Sequence, residues 1–158
     1  MREYVVTCCS TADMSRTFME TNEVPFAMFH YQLDGKEYAD DLYSSISPEV
    51  FYKMIGDGAQ PVTSQVNAEA YCALFEPVLK SGKDVLHLTL SSGISGSINS
   101  ANVAKTQMEE KYPDRRVMVV DSLAASSGYG MLVEQTRENQ RAGMSLEENA
   151  AWIVAHRN

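Results

Sequence analysis

Hydroxyl side chains and glycines concentrate in four short segments of this sequence that could bind an anion. Three of them follow predicted strands and the fourth precedes a predicted helix: residues 8–13, 91–97, 121–122 and 61–65. Serine and threonine hydroxyls donate hydrogen bonds to an oxyanion, glycine lets the backbone approach it, and a helix N-terminus adds partial positive charge. The same residue types also cap helices and shape turns, so a purely structural role is the alternative.

Sequence motifs of hydrolases and nucleotide-binding proteins fail when they are tested residue by residue. Gly93-Ile94-Ser95-Gly96 is followed by Ser97, where the G-x-S-x-G nucleophile elbow requires glycine. Gly128-Tyr129-Gly130 lacks the third glycine of a dinucleotide-binding turn and falls inside a predicted helix. Hydroxyls without a positioned base favour binding over catalysis. A small serine hydrolase or phosphotransferase that uses the loop of residues 91–97 is the alternative.

The histidines and cysteines predict neither a metal site nor a reactive thiol. His30, His87 and His156 lie far apart in sequence, without the spacing of metal ligands. His87 is interpreted as a hydrogen-bonded histidine of the core or of a sheet face, with approach to a ligand as the alternative. Adjacent Cys8 and Cys9 cannot easily bridge each other, and such thiols are usually small buried side chains. We expect no metal and no other cofactor.

Strand and helix patterns alternate along the chain. Short apolar runs predict strands at residues 4–7, 24–33, 85–90 and 117–120. Asp34-Gly35 predicts a hairpin that pairs residues 36–39 with residues 29–33. Capping residues and polar periodicity predict helices over residues 48–55, 67–80, 97–111, 126–142 and 145–156, with Pro77 forcing a kink or an early end of the second. This alternation predicts an α/β fold, a mainly parallel sheet with helices on both faces, whose ligands bind beyond the carboxyl ends of the strands.

Length and charge limit the classes of function. A chain of 158 residues fits one domain, residues 1–158, although it ends inside a helical pattern, which we interpret as a longer protein that has been cut or a partner domain that once followed. Thirteen basic and 21 acidic residues give a net charge of −8, which disfavours nucleic acid and anionic membranes as partners. No segment approaches the roughly 20 apolar residues of a membrane helix, so no stable membrane insertion is expected. The absence of a signal-peptide pattern and an odd number of cysteines predict a cytoplasmic protein.

Five segments, in one order and at matching separations, resemble the motifs of one family. They are the V-T-D-S-T-A-D-like residues 6–13, the D-G-K-E-Y and S-P-E residues at 34–38 and 47–49, Thr63-Ser64-Gln65, the S-S-G-L-S-G-T-like residues 91–97, and Asp121-Ser122. Together they resemble the DegV family, the fatty-acid-binding proteins that serve bacterial fatty acid kinases. The likeness covers essentially the whole chain.

The resemblance implies a fold, a ligand and a partner. The chain resembles the N-terminal lobe of a two-lobed α/β structure, and the second, C-terminal lobe is absent. Thr63 and Ser92 would hydrogen-bond the carboxylate of a long-chain fatty acid, with Ser64 and Ser95 close by and Gly93 admitting the backbone. The protein would present this ligand to a separate ATP-dependent fatty acid kinase and would catalyse nothing itself.

Two segments depart from the family pattern. Cys8-Cys9 stands where the family commonly has an aspartate, apparently with one added residue, and residues 40–45 are longer than the usual link, which predicts a longer surface loop. A third hypothesis for function follows from the missing lobe. An isolated lobe would bind no lipid and would associate with itself through the surface that the second lobe normally covers.

Overall fold

The computed structural model describes residues 2–157, so the two ends of the predicted domain, Met1 and Asn158, lie outside the described residues. The strands are β1 (Tyr4–Cys9), β2 (Phe26–Ala27), β3 (His30–Leu33), β4 (Lys36–Ala39), β5 (Val62–Ser64), β6 (Asp84–Thr89) and β7 (Val117–Asp121). The helices are α1 (Arg16–Thr21), α2 (Pro48–Gly56), α3 (Ala68–Lys80), α4 (Ser97–Lys111), α5 (Ser126–Arg141) and α6 (Leu146–His156). A short 3₁₀ turn, Ser10–Ala12, follows β1.

Four parallel strands form the main sheet in the order β2-β1-β6-β7. The register of β1 and β6 runs from the pair Tyr4 and Asp84 to the pair Thr7 and His87. All six residues of β6 are buried, which requires cover on both faces because successive side chains point to opposite sides. Helices α3 and α4 pack on each other, as do α5 and α6. The predicted α/β fold with a parallel sheet flanked by helices is confirmed.

Three antiparallel strands form a smaller sheet in the order β4-β3-β5. Asp34 and Gly35 join β3 to β4, and their φ angles of 52° and 75° have the positive sign that a type I′ hairpin turn requires. The pairing of His30 with Ala39 and of Leu33 with Lys36 gives the hairpin that the sequence predicts. The small sheet carries Thr63 and Ser64 on its edge strand β5.

Two predictions about strands are wrong. Residues 24–33 form two strands, β2 in the main sheet and β3 in the small one, because the chain changes sheets after Ala27. At this change the Phe29 amide donates to the Ser10 hydroxyl at 3.1 Å. Residues 61–65 contain strand β5 where a loop was expected. The backbone of β5 pairs with β3 although all three of its side chains are exposed, so the segment has no apolar pattern.

The predicted helix caps are confirmed. The side chains of Ser47 and Asn67 accept hydrogen bonds from the backbone at the starts of α2 and α3, and Ser145 forms the reciprocal capping box with Glu148. The early end of α3 at Pro77 is not observed, since the helix continues to Lys80. Burial of the two residues after the proline, Val78 and Leu79, favours that last turn. No helix within residues 2–157 combines the length and apolar character needed to cross a membrane.

Candidate functional site

The hydroxyl-rich segments meet at one edge of the main sheet. Strands β1, β6 and β7 are parallel neighbours, so their carboxyl ends lie side by side. The Ser10–Ala12 turn follows β1, the loop of residues 91–97 follows β6, and Ser122 follows β7. The prediction that these segments gather where ligands bind in parallel sheets therefore agrees with the topology.

Thr63 lines a cavity of about 250 Å³ between this edge and the small sheet. The cavity is bounded by Thr11 of the Ser10–Ala12 turn, by both residues that follow β4, and by the start of α2. Its apolar wall consists of Phe29, Ala39, Ile46, Phe51 and Pro61, with Tyr31 and Tyr43 adding aromatic surface. Tyr31 and Phe51 meet edge to face, with ring centroids 5.4 Å apart. The cavity thus combines two threonines with a largely apolar and aromatic lining.

The other predicted site residues lie near Thr63 in the fold but do not line the cavity. Ser64 points its hydroxyl to the His30 carbonyl oxygen at 3.3 Å. Ser92 and Gly93 are exposed in the loop after β6. Ser95 is half-buried, and its hydroxyl lies 2.9 Å from that of Ser97. The structure therefore separates Thr63, which lines the cavity, from three serines whose hydroxyls lie outside it.

Gln65 connects the two segments that contain these residues. A Cβ added to Gly96 would lie 2.9 Å from both Nε2 and Oε1 of Gln65, so the glutamine side chain packs directly on the Gly96 backbone. Only glycine permits this approach without a shift of the glutamine. The segment of residues 61–65 therefore adjoins the loop of residues 91–97, as two parts of one site would.

Asp121, the last residue of β7, holds two loops together. Its Oδ1 accepts hydrogen bonds from the Ser92 amide at 3.1 Å and from the Leu123 amide at 3.0 Å. Desolvation raises the pKa of this carboxyl, but the hydrogen bonds from Ser92 and Leu123 outweigh it, so the net pKa of Asp121 is lowered. A carboxylate that is ionised at neutral pH therefore fixes the backbone of the loop that carries Ser92.

Carboxylates also surround the cavity. Asp13, Asp40 and Asp41 line it, so the predicted surface loop of residues 40–45 contributes to its wall. Desolvation raises the pKa of the half-buried Asp40. Asp41 instead accepts hydrogen bonds from the amides of Ser44 and Ser45 at 2.9 and 3.1 Å. The carboxylate of a ligand in this cavity would have to be held by hydroxyl donors and by apolar contact of the ligand, because the charge of the three aspartates opposes it.

A buried cluster of Thr7, Cys9, Tyr71 and His87 lies behind the sheet edge. The Thr7 hydroxyl lies 2.9 Å from His87 Nδ1, and Cys9 Sγ lies 3.3 Å from the Tyr71 hydroxyl and 3.9 Å from His87 Nε2. Burial lowers the pKa of His87 to about 3 and raises that of Cys9, so both groups are neutral near pH 7. These geometries describe a structural polar core in which His87 is fully buried.

In the described chain the serines of the loop have no histidine beside them, and the carboxylate next to Ser92, that of Asp121, accepts hydrogen bonds from two backbone amides. Within residues 2–157, no histidine side chain hydrogen-bonds to a serine of residues 91–97, and the Ser95 hydroxyl hydrogen-bonds only to the hydroxyl and amide of Ser97. No group of three His, Cys, Asp or Glu side chains in this range is placed to hold a metal ion.

A larger cleft of about 760 Å³, which includes Arg2, Tyr4 and Met144, lies where β1 begins, at the opposite edge of the sheet. The hydroxyl-rich edge is therefore the better candidate for a binding site.

Sequence reasoning placed Thr11 in a hydroxyl-rich segment but not in the site, and it treated Asp40 as part of a surface loop. Both side chains line the cavity beside Thr63. The signal available for Thr11 was its place in the turn that follows a strand of the parallel sheet. Nothing in the sequence around Asp40 indicates burial, because Asp41 follows it and two polar serines come soon after.

Comparison with known proteins gives one consistent result. The model of the DegV family of uncharacterised proteins matches residues 5–158. A DegV domain-containing protein of Clostridium perfringens is 32% identical over 100% of this chain and 54% of its own length. A DegV family protein from Thermus thermophilus, described by its fatty acid binding, has a TM-score of 0.86 at 32% identity, over 99% of this chain and 54% of that one. A stearic-acid-binding protein from Eubacterium ventriosum has a TM-score of 0.87 at 28% identity, over 96% and 52%. This chain spans about half the length of the relatives it matches.

Proposed function

This chain belongs to the DegV family, and on that premise we propose that it binds a long-chain fatty acid through its carboxylate. The observation that carries the proposal is the position of Thr63, the threonine of the Thr63-Ser64-Gln65 motif. Its side chain lines a cavity with an apolar and aromatic wall. Two relatives of the same fold that are described as fatty-acid-binding proteins support the class of ligand.

The carboxylate would lie at Thr63, where the segment of residues 61–65 adjoins the loop of residues 91–97. Thr63 would donate one hydrogen bond and Ser92 a second, while Ser64, Gly93 and Ser95 complete the surroundings. Asp121 supports this arrangement because it fixes the Ser92 amide. The surrounding aspartates oppose an anion, so the hydroxyls would orient the ligand and supply little net affinity.

Most of the affinity would come from the acyl tail. Each buried methylene contributes roughly 0.8 kcal/mol, so a tail with several buried methylenes outweighs the cost of placing its carboxylate near Asp40. The cavity of about 250 Å³ is smaller than the roughly 300–1,000 Å³ of typical ligand sites. The remaining tail would therefore lie outside it, on apolar surface such as the exposed Val62 and Tyr52 or on a second lobe.

We further propose that the protein is a non-catalytic, cytoplasmic carrier that presents the fatty acid to a separate ATP-dependent kinase. The resemblance to the family motifs supports the partner. The absence of a histidine at the serines within residues 2–157, together with the engagement of Asp121 by two backbone amides, supports a binding role over hydrolysis or phosphotransfer. Because the chain spans about half of its relatives, the kinase partner belongs to the whole protein in this proposal.

Native mass spectrometry of the protein purified from bacteria, followed by organic extraction, tests the binding proposal. We expect a retained mass in the range of a long-chain fatty acid, and its loss in the Thr63→Val, Ser92→Ala double variant. The Thr106→Val, Ser127→Ala double variant is the matched control, because both of those residues are exposed and lie outside the cavity. Equal lipid retention in the two double variants would refute the assignment of Thr63 and Ser92.

A further inference from the structure

Thr11 presents a hydroxyl that no part of the described chain explains. Its Oγ1 is buried and has no hydrogen-bond partner within residues 2–157. Buried polar atoms of native proteins are nearly always paired, so an unpaired one needs a specific reason. Binding sites supply such a reason, because their polar groups are completed by the ligand.

The backbone around Thr11 is held firmly, so the unpaired hydroxyl does not reflect a loose turn. The Ser10 hydroxyl accepts a hydrogen bond from the Phe29 amide at 3.1 Å, and the Asp13 amide donates to the Ser10 carbonyl oxygen at 3.0 Å. On the other side, α5 packs on the turn so closely that a Cβ added to Gly130 would lie 2.6 Å from the Ala12 carbonyl oxygen. Thr11 therefore occupies a fixed position at the cavity.

The buried hydroxyl of Thr11 would reach a ligand in the cavity through a change of side-chain rotamer. Thr11 lines the same cavity as Thr63. A rotation of about 120° around χ1, between two staggered rotamers, would move the hydroxyl to the position of the methyl group and the methyl group to that of the β-hydrogen. Since the hydroxyl has no partner to give up within the described chain, such a rotation breaks no hydrogen bond.

We propose that Thr11 is a further ligand-binding residue, whose hydroxyl donates a hydrogen bond to the fatty-acid carboxylate that Thr63 also binds. This inference rests on the proposed function and adds a third hydroxyl to Thr63 and Ser92. Thr11 lies in the turn that follows β1 of the main sheet and Thr63 lies on β5 of the small sheet, so the two donors would come from separate segments that line one cavity.

The test compares Thr11→Val with Thr136→Val by calorimetric titration of delipidated protein with oleate and by thermal unfolding. Thr136 is the matched control because its buried hydroxyl donates to the Leu132 carbonyl oxygen at 2.6 Å. A hydrogen bond to a charged group corresponds to a loss of at least about tenfold in affinity for Thr11→Val. The Tm of Thr11→Val should not fall below that of the wild type. Thr136→Val should show the reverse, a lower Tm and unchanged affinity.

A second pair of variants keeps the test independent of the folding of Thr11→Val. Thr11→Ser and Thr11→Ala both lack the methyl group and differ from each other only in the hydroxyl. We expect Thr11→Ser to bind oleate at least about tenfold more tightly than Thr11→Ala. Equal affinity in this pair, with a wild type that binds oleate, overturns the role of Thr11 and leaves the proposed function intact. A wild type that binds no oleate overturns both.

Discussion

The contact between Gly130 and the Ser10–Ala12 turn yields a sharp prediction about stability. Gly130 and Gly128 both lie in the first part of α5, so alanine at either position gains helix propensity of similar size, about 1 kcal/mol. A Cβ on Gly128 would lie 3.7 Å from the Ala124 Cβ, an ordinary contact. A Cβ on Gly130 would lie 2.6 Å from both the Ala12 carbonyl oxygen and the Met14 Sδ.

The two substitutions therefore differ by the cost of the clash. Inserting one methyl group into a tightly packed contact costs about 1–3 kcal/mol. The Ala12 carbonyl oxygen is backbone and cannot swing away as the Met14 side chain can, so the turn or α5 must shift. We expect Gly128→Ala to be as stable as the wild type or more stable, and Gly130→Ala to be less stable than Gly128→Ala by about 1–3 kcal/mol.

Urea unfolding of the two variants and of the wild type measures this difference. The midpoints should separate while the m-values agree, which marks a change of stability and not of compactness. In thermal unfolding the same difference corresponds to about 2–4 °C for each kcal/mol. Gly130→Ala with the same midpoint as Gly128→Ala would refute the close approach of α5 to the turn, and with it the rigid position of Thr11.

Two further predictions concern His87 and Ser145. The pKa of His87 is about 3 in the folded protein and near 6.5 unfolded, so unfolding takes up a proton between these values and stability falls as the pH drops. From pH 7 to pH 4 this should cost the wild type about 3 kcal/mol more than His87→Gln in urea unfolding, and equal losses would contradict it. Ser145→Ala removes the capping box of α6 and should cost about 1 kcal/mol, whereas the exposed Ser127→Ala should cost less than half of that.

Local signals in the sequence predict most of the helices and the hairpin. Ser47, Asn67 and Ser145 begin helices where the sequence places them, because a cap satisfies backbone groups within a few residues and depends little on the rest of the fold. The Asp34-Gly35 turn is local for the same reason. Predictions that depend only on neighbours along the chain are therefore the reliable ones here.

Predictions that depend on distant partners are less reliable. The apolar run of residues 24–33 does not encode which sheet each half joins, and that choice is made by β1 for Phe26 and by β4 and β5 for His30. Strand β5 exists because its backbone pairs with β3. This pairing could not be predicted from the exposed Val-Thr-Ser sequence, which has no strand pattern. The same limit applies to Thr11, whose unpaired hydroxyl is visible only when every neighbour has been placed.

In the proposed site, hydroxyls from separate motifs would act together because segments of two sheets meet there. Thr63 lies on the small sheet, while Thr11 and Ser92 follow strands of the main sheet. The Gln65 side chain packs on the Gly96 backbone and so joins the segment after β5 to the loop after β6, while the Phe29 amide donates to Ser10 and joins the residue before β3 to the turn after β1. A carboxylate that accepts from both sheets would gain orientation from these two ties, which are present without it. Under the proposed function, preorganised neutral donors of this kind would orient a ligand whose binding energy comes from its tail.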